Sequence, residues 1–230
     1  MILNIRPKIF ILLLTALTIG LSTLETKAQF LQDIQGNLIR GVKYTDVNGN
    51  PYLTEQWTKG TVLLKNGRKY ANVQLRYDLV GDEVLFKNEK SQQMMSFTDP
   101  VIEFQLNTDS ENTASPMIFR SGYVSDDGVG AKAYFQVLCD LGVKLLKKQV
   151  KVIIETKEYS SATSTKNFSE STSYYLYKNN KAVKIRKDKK QIFSVLGNQT
   201  DALEKFIKDN NLNLKNESDL IRLVAHYNSL

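Results

Sequence analysis

The sequence predicts a mainly antiparallel β protein with two or three short α-helices at its C-terminal end. Three patterns predict it: alternation of apolar and polar residues through 57–187, turn pairs such as Asn-Gly between the alternating runs, and three-and-four spacing of apolar residues in 188–230. Alternation gives a strand one apolar face, whereas the longer period gives a helix one apolar stripe. About ten strands joined by short turns favour a meander, and the sequence leaves open whether it closes as a barrel or folds as a sandwich.

The clearest strand signal is the hairpin around Asn66-Gly67, because both residues tolerate the positive φ angles that a tight turn requires. The arm that follows alternates at Val73, Leu75 and Tyr77. Further strands are predicted at 38–44, 83–87, 93–97, 101–106, 117–124, 134–139, 143–155, 174–177 and 182–186. Residues 160–173 hold nine Ser or Thr in fourteen positions, which predicts a loop.

Capping residues mark the three predicted helices. Asp188 is placed to cap the first, with Gln191 reaching back from the third helical position, and Gly197 ends it. Thr200 is predicted to cap the second helix. Asn216 or Ser218 is predicted to cap the third. Because helices this short are marginal in isolation, we expect them to pack on the sheet or on each other.

Residues 1–28 have the three-part layout of a secretory signal peptide. Arg6 and Lys8 precede the apolar run 9–21, and small residues follow at the last and third-last positions before a predicted cut at Gln29. The run is short for a membrane-spanning helix, which needs about 20 residues. The sequence therefore predicts a chain exported to the periplasm or the cell exterior, with outer-membrane association left open and no transmembrane segment in the mature chain.

The predicted organisation is a signal peptide (1–28), an irregular lead-in (29–56), an antiparallel β domain (57–187) and a helical segment packed on it (188–230). The formal net charge is +7, of which residues 1–28 carry +2 and the rest +5. This mild basicity permits anionic partners and demands none. Nucleic acid is not expected as a partner of an exported protein. With Cys139 as the only cysteine there is no internal disulfide, which favours a bacterial envelope protein over a eukaryotic secreted one.

Several short segments resemble a family of uncharacterised exported proteins of Bacteroidota-type bacteria. They are Pro51-Tyr52-Leu53, Lys59-Gly60-Thr61-Val62, Gly67-Arg68-Lys69-Tyr70 and Arg76-Tyr77-Asp78. The stretch Leu145-Leu146-Lys147-Lys148 and the helical tail are similar too, so the likeness spans most of the mature chain. The resemblance implies export and a β-rich fold, and it implies no activity.

The sequence offers no catalytic, cofactor or metal site that we would assign. His226 is the only histidine, and nothing in the sequence brings it to Cys139, so both are interpreted as structural residues. One His and one Cys are too few for a zinc site. The stretch 46–50 begins like a calcium loop, but Pro51 stands where glycine is needed and Trp57 where the closing glutamate belongs, so a turn is the better interpretation.

Two further groups of charged residues remain candidates. A carboxylate pair for glycoside hydrolysis needs a set separation in space, and Asp78, Glu83, Glu103 and Asp127 are candidates that sequence cannot distinguish from strand-edge charges. The basic run 181–190 could contact an anionic polymer or headgroup. We favour a solvated hairpin side for it, with lysines guarding a strand edge.

Three functional hypotheses follow. The first is a non-enzymatic envelope module that contacts other envelope proteins. The second is a binder of a small or lipidic ligand in a β-structured cavity, with the C-terminal helices as a lid; an apolar cavity of about 300–1,000 Å³ would support it. The third is a carboxylate-dependent hydrolase.

Overall fold

The computed structural model of the chain describes residues 34–39, 43–107, 115–157 and 164–230, which lie in one compact unit. The predicted signal peptide lies outside the described residues. Twelve strands are described: β1 (Gly36–Leu38), β2 (Val47–Asn48), β3 (Thr58–Leu64), β4 (Lys69–Asp78), β5 (Glu83–Lys87), β6 (Met94–Phe97), β7 (Val101–Leu106), β8 (Met117–Arg120), β9 (Phe135–Cys139), β10 (Lys144–Lys157), β11 (Ser164–Lys178) and β12 (Lys181–Ile185). Three helices follow: α1 (Lys189–Leu196), α2 (Thr200–Asp209) and α3 (Glu217–Tyr227).

All twelve strands belong to one sheet, in the order β1-β6-β5-β4-β3-β7-β8-β9-β10-β11-β12, with β2 beside β11. Every pairing is antiparallel except the short one between β2 and β11. The predicted fold class is therefore confirmed. Within the described residues the sheet is continuous and is not closed into a barrel.

The sheet curls strongly between β6 and β7. These strands are four places apart in the strand order, yet only residues 98–100 connect them. In a flat sheet they would be about 19 Å apart, because neighbouring strands are spaced by about 4.8 Å. The four steps from Phe97 to Val101 reach at most about 14 Å. The strands from β6 to β7 must therefore bend round towards each other, and they enclose an apolar core between them.

A second curl brings β4 towards β10, five places away in the strand order. The backbone N–H of Lys151 donates to the carbonyl oxygen of Leu79, just after β4, at 3.0 Å. Among the described residues this contact is one hydrogen bond and not a strand ladder. It nevertheless fixes the end of β4 against the edge of β10, and aromatic side chains fill the space between the two strands.

The hairpin between β3 and β4 confirms the prediction made from Asn66-Gly67. Gly67 has a φ of 86°, and its N–H donates to the Leu64 carbonyl oxygen at 3.0 Å. The short strand predicted near 38–44 lies earlier in the chain, since β1 spans Gly36–Leu38 and residues 43–46 form a turn; residues 40–42 lie outside the described residues. The strand predicted at 117–124 is shorter than expected and ends at Arg120.

The loop predicted at 160–173 is wrong over its described part. β11 begins at Ser164 and pairs with β10 residue by residue as far as Tyr177. A segment without apolar alternation can still form a strand when a neighbouring strand pairs with it. The fourteen residues of β10 provide such a neighbour along the described part of the Ser- and Thr-rich stretch. Residues 160–163 lie outside the described residues.

The three predicted helices are present, with two differences at their caps. The Asp188 side chain accepts from the Gln191 N–H as predicted, but the Gln191 side chain accepts from the Arg186 N–H instead of reaching back to Asp188. Gly197 ends α1 with a φ of 79°. Thr200 is the first residue of α2 and not its cap, because the Gln199 carbonyl oxygen already accepts the Leu203 N–H. Asn216 precedes α3 as its cap residue.

The helices cover one face of the β10–β12 region. Their apolar stripes pack against three buried strand residues, Leu145, Leu176 and Ile185. The residues that form these stripes include Ile192, Leu196, Leu203, Leu220, Leu223 and Val224, each fully buried. This burial stabilises helices that are too short to be stable alone. None of the helices in the described part of the chain has the length and apolar character that crossing a membrane requires.

Candidate functional site

The curl between β6 and β7 leaves a cleft at one end of the sheet, which we call the end cleft. Its volume is about 670 Å³. One wall comes from the β4–β5 turn, β5 and β6, and the other from the start of β7, the residues after β8 and the loop before β9. The lining residues are Lys65, Asp82, Glu83, Val84, Phe97, Asp99, Pro100, Val101, Ile102, Ser121, Gly122, Ala131, Lys132 and Tyr134.

The end cleft has an apolar floor and a charged rim. Val84, Val101 and Tyr134 are buried and form the floor. Lys65 and Lys132 are exposed and stand at the rim. The Tyr134 hydroxyl donates to the Val101 carbonyl oxygen at 2.8 Å, so the phenol is fixed in place. An apolar floor with a few polar groups around it is typical of a site for a small organic ligand.

An aromatic cluster fills the interior beneath the end cleft. Phe104 and Phe119 stack with ring centroids 4.7 Å apart, and Tyr77 meets both rings at 5.2 Å. Tyr134 completes the cluster 5.1 Å from Phe104. The sequence explains this packing, since β4, β7 and β8 each contribute an aromatic residue at an inward-facing position, and Tyr134 joins them from just before β9. Within the described part of the chain these rings pack together beneath the end cleft, which itself lies at the end of the sheet.

A buried lysine joins this cluster from β10. Lys148 is 6% exposed, and its Nζ lies 2.7 Å from Asp82 Oδ1 and donates to the Tyr77 hydroxyl at 3.3 Å. The Tyr77 hydroxyl donates to the same Asp82 oxygen at 2.5 Å. Asp82 is the only member of this trio that lines the end cleft. Its carboxylate therefore connects the cleft to a buried ion pair.

Burial shifts the ionisation of both buried members of the trio. Burial lowers the pKa of Lys148, and the attraction of Asp82 opposes this only in part. Burial raises the pKa of Tyr77, and the neighbouring charge of Asp82 raises it further. Burying an ion costs several kcal/mol of desolvation free energy unless its partners compensate, so breaking the contacts within this trio would destabilise the fold. The trio therefore holds the β4–β5 turn against β10.

A second carboxylate, which is buried, anchors the lead-in to the same turn. Asp78 is fully buried, and its Oδ1 accepts from the N–H groups of Val80 and Gly81 at 2.9 and 3.0 Å. Its Oδ2 accepts from the Tyr44 hydroxyl at 2.7 Å and from Lys43 Nζ at 3.0 Å. Although burial would raise the pKa of Asp78, these hydrogen bonds prevail and lower it. The carboxylate is thus held in its charged form, without access to solvent.

Of the four carboxylates considered as catalytic pairs, the structure brings Asp78 and Glu83 together: they lie opposite each other on β4 and β5, with Lys43 Nζ 3.0 and 3.3 Å from them. Asp78 is buried, Glu103 pairs with Arg120 at 2.7 Å, and Asp127 pairs with Lys184 at 3.0 Å. Only Glu83 lines the end cleft. Asp82 and Asp99, which were not singled out in the sequence, line it as well.

The remaining sequence candidates have structural contacts. His226 stacks on Phe206 with ring centroids 3.9 Å apart, among the helices. Cys139 is buried at the end of β9, and burial raises the pKa of its thiol. In the predicted calcium-like stretch, the Asn50 side chain accepts from the Tyr52 N–H. Among the described residues no group of three or more His, Cys, Asp or Glu side chains is placed to hold a metal ion.

The basic run 181–190 makes contacts within the chain. Lys184 pairs with Asp127, Lys189 pairs with Glu204 at 2.6 Å, and Lys187 lies over the Tyr174 ring at 4.6 Å. These contacts place much of the run's charge against the chain's own acidic and aromatic groups. They favour the interpretation of the run as a solvated hairpin side.

Sequence reasoning missed the trio of Lys148, Tyr77 and Asp82, although one signal was present. Lys148 occupies the same strand face as Leu146 and Val150, where alternation predicts apolar residues. A lysine at an inward-facing position of a strand predicts a buried partner. Nothing in the sequence, however, indicates which carboxylate that partner is, since Asp82 lies far from Lys148 in the chain.

Compared with known proteins, the chain matches no family model, no curated protein and no solved structure. The site therefore has to be interpreted from its own geometry.

Proposed function

We propose that the chain is an exported, non-enzymatic protein of the bacterial cell envelope that binds a small ligand in the end cleft. The observation that carries the proposal is the cleft itself, whose volume of about 670 Å³ lies within the range of small-molecule sites. Its apolar floor would hold the body of a ligand, and its charged rim would orient a polar group. Export rests on the signal-peptide pattern of residues 1–28.

The partners of the cleft carboxylates favour binding over catalysis. Asp82 accepts the Tyr77 hydroxyl and pairs with Lys148, Glu83 lies 3.3 Å from Lys43 Nζ, and Asp99 accepts the Asn66 side-chain amide at 2.8 Å. A pair of acids that shared the work of hydrolysis would need one carboxyl group free to donate a proton to the substrate. Each of these three is instead engaged by the protein's own groups.

The helices do not form the lid that the sequence hypothesis gave to such a site. None of the end-cleft lining residues comes from α1, α2 or α3, and these helices pack against β10, β11 and β12. A ligand would enter from solvent at the end of the sheet.

Chemical-shift mapping by NMR with a library of small amphipathic molecules tests the proposal. We expect ligands to move the amide signals of residues lining the cleft, such as Val101 and Ser121. Ala131→Trp would fill the cleft from its exposed side and abolish these shifts, while Ser171→Trp, on the exposed part of β11, would leave them unchanged. Shifts scattered over the surface, or unaffected by Ala131→Trp, would contradict it.

A second candidate function is contact with another envelope protein through the outer part of β10. Val152, Ile153 and Ile154 are 51%, 42% and 48% exposed, three consecutive apolar residues on a strand segment that pairs only with β11 among the described residues. Exposed strand edges with apolar side chains favour pairing with a partner. Crosslinking and mass spectrometry on intact envelopes test this second function. The double variant Val152→Ser/Ile154→Ser is compared with Leu141→Ser, a control at another exposed apolar residue. A partner that crosslinks equally to both variants would contradict the proposed contact.

A further inference from the structure

The charged groups of the end cleft divide into engaged carboxylates and free ammonium groups. Asp82, Glu83 and Asp99 all accept hydrogen bonds or ion pairs from other side chains of the protein. The Lys65 and Lys132 side chains, by contrast, have no ion-pair or hydrogen-bond partner in the described part of the chain. A ligand cation would meet carboxylates that already accept from the protein's own donors, whereas a ligand anion would meet two ammonium groups without such partners.

The backbone fixes the two lysines on the same wall of the cleft. The Lys65 N–H donates to the Pro100 carbonyl oxygen at 2.8 Å, which holds the β3–β4 turn beside the start of β7. Lys132 lies in the loop before β9, where the Gly122 N–H donates to the Ala131 carbonyl oxygen at 2.7 Å. Both lysines thus line the same cleft as Val101 from backbone segments that are fixed in place, and their side chains are long and flexible.

We propose, resting on the binding function proposed above, that the ligand is an anionic amphiphile: one anionic group held between Lys65 and Lys132, with an apolar body on Phe97, Val101 and Tyr134. The floor favours an apolar body, because Val101 and Tyr134 are buried and the Tyr134 hydroxyl already donates to the Val101 carbonyl oxygen. The net charge of +5 outside residues 1–28 adds a long-range attraction for anions.

Three probes with the same chain and different head groups test the charge preference: octanoate, 1-octanol and octylammonium. Affinities are measured by NMR titration on the chain without residues 1–28. We expect octanoate to bind about tenfold more tightly than either other probe, and this preference to shrink as salt is raised, because salt screens exposed charges. Lys65→Gln and Lys132→Gln would each weaken octanoate binding about 2–5-fold, and the double variant about tenfold, without changing octanol binding.

The matched control is Lys59→Gln/Lys69→Gln, which removes the same charge from two exposed lysines outside the cleft. It would leave octanoate binding within about twofold of the wild type if the two cleft lysines act locally. The proposal would be overturned if this control weakened octanoate binding as much as the double cleft variant does. It would also be overturned if 1-octanol or octylammonium bound as tightly as octanoate. Either result would leave the cleft as a binding site with a different preference for the head group of its ligand. Failure of all three probes to bind also overturns it, and the library mapping with Ala131→Trp then decides separately whether the cleft binds any ligand.

Discussion

At the scale of single residues, Lys148 places an ammonium group in a buried environment. Its ammonium group is removed from water and depends on Asp82 and Tyr77 for compensation. Taking away one partner of a buried ion pair leaves the other uncompensated, which is costlier than replacing both. Asp82 keeps 31% of its side chain exposed, so part of that cost is relieved by solvent.

We therefore predict that Lys148→Met lowers the free energy of unfolding by about 1–3 kcal/mol. Adding Asp82→Asn to this variant is expected to restore part of the loss, because the stranded carboxylate is gone. The matched control is Lys184→Met, which removes a lysine from an exposed pair with Asp127 and is expected to cost less than about 1 kcal/mol. Urea unfolding of the four proteins measures these values, and a cost for Lys148→Met no larger than for Lys184→Met would contradict the account.

The buried Asp78 carboxylate makes the stability of the fold depend on pH in the acid range. Burial would raise its pKa, but hydrogen bonds from Gly81, Tyr44, Lys43 and Val80 lower it below the ordinary 3.8. The charged form is thus stabilised in the folded state, so this contribution is present above the unfolded pKa and is lost as the pH falls through the folded one. The pKa values of Asp127 and Asp140 are lowered as well, so they add to the same loss.

We predict that Asp78→Asn is less stable than the wild type near neutral pH, by about 1–3 kcal/mol, because the buried amide cannot replace all the acceptor bonds. Between about pH 5 and pH 3, Asp78→Asn is expected to lose less stability than the wild type does. Tyr44→Phe removes one hydrogen bond to the carboxylate, so its loss is expected to lie between those of the wild type and Asp78→Asn. Urea midpoints across this pH range provide the measurement. Parallel acid profiles of wild type and Asp78→Asn would show that the carboxylate is not held as described.

At the scale of elements, Gly60 lets the two neighbours of β3 approach its backbone closely. A Cβ atom added at Gly60 would lie 2.0 Å from the Gln105 carbonyl oxygen of β7 and 2.8 Å from Leu75 Cδ1 of β4. Because the first of these is backbone, the strands would have to separate. Glycine at this position is therefore a packing requirement of the central sheet.

We predict that Gly60→Ala destabilises the fold by about 1–3 kcal/mol through this overpacking. Gly130→Ala serves as control, since an added Cβ there meets no atom within 4 Å and the residue has no positive φ. Thermal and urea unfolding of both variants test the difference. Equal stability of the two would mean that β3 and β7 can separate without cost.

At the scale of the whole molecule, the curl of the sheet creates the candidate site, and the curl could be predicted only in part. Alternation, turn pairs and caps predicted the β-rich fold and the three helices because these signals are local. The strand order is not local: that β3 lies between β4 and β7 depends on distant side chains such as Phe104 and Tyr77 fitting together. For the same reason the sequence identified Glu83 as a candidate but could not place it in one cleft with Asp99 and Lys132.

Native mass spectrometry of the protein, purified gently from its own cells, tests most directly the claim that the end cleft binds a small ligand. We predict that wild type and Ser171→Trp carry an additional mass that denaturing conditions remove, and that Ala131→Trp carries little or none of it. The added mass is expected to be that of an acid with an apolar body. A wild-type chain with no added mass, or the same mass bound to Ala131→Trp, would contradict the account.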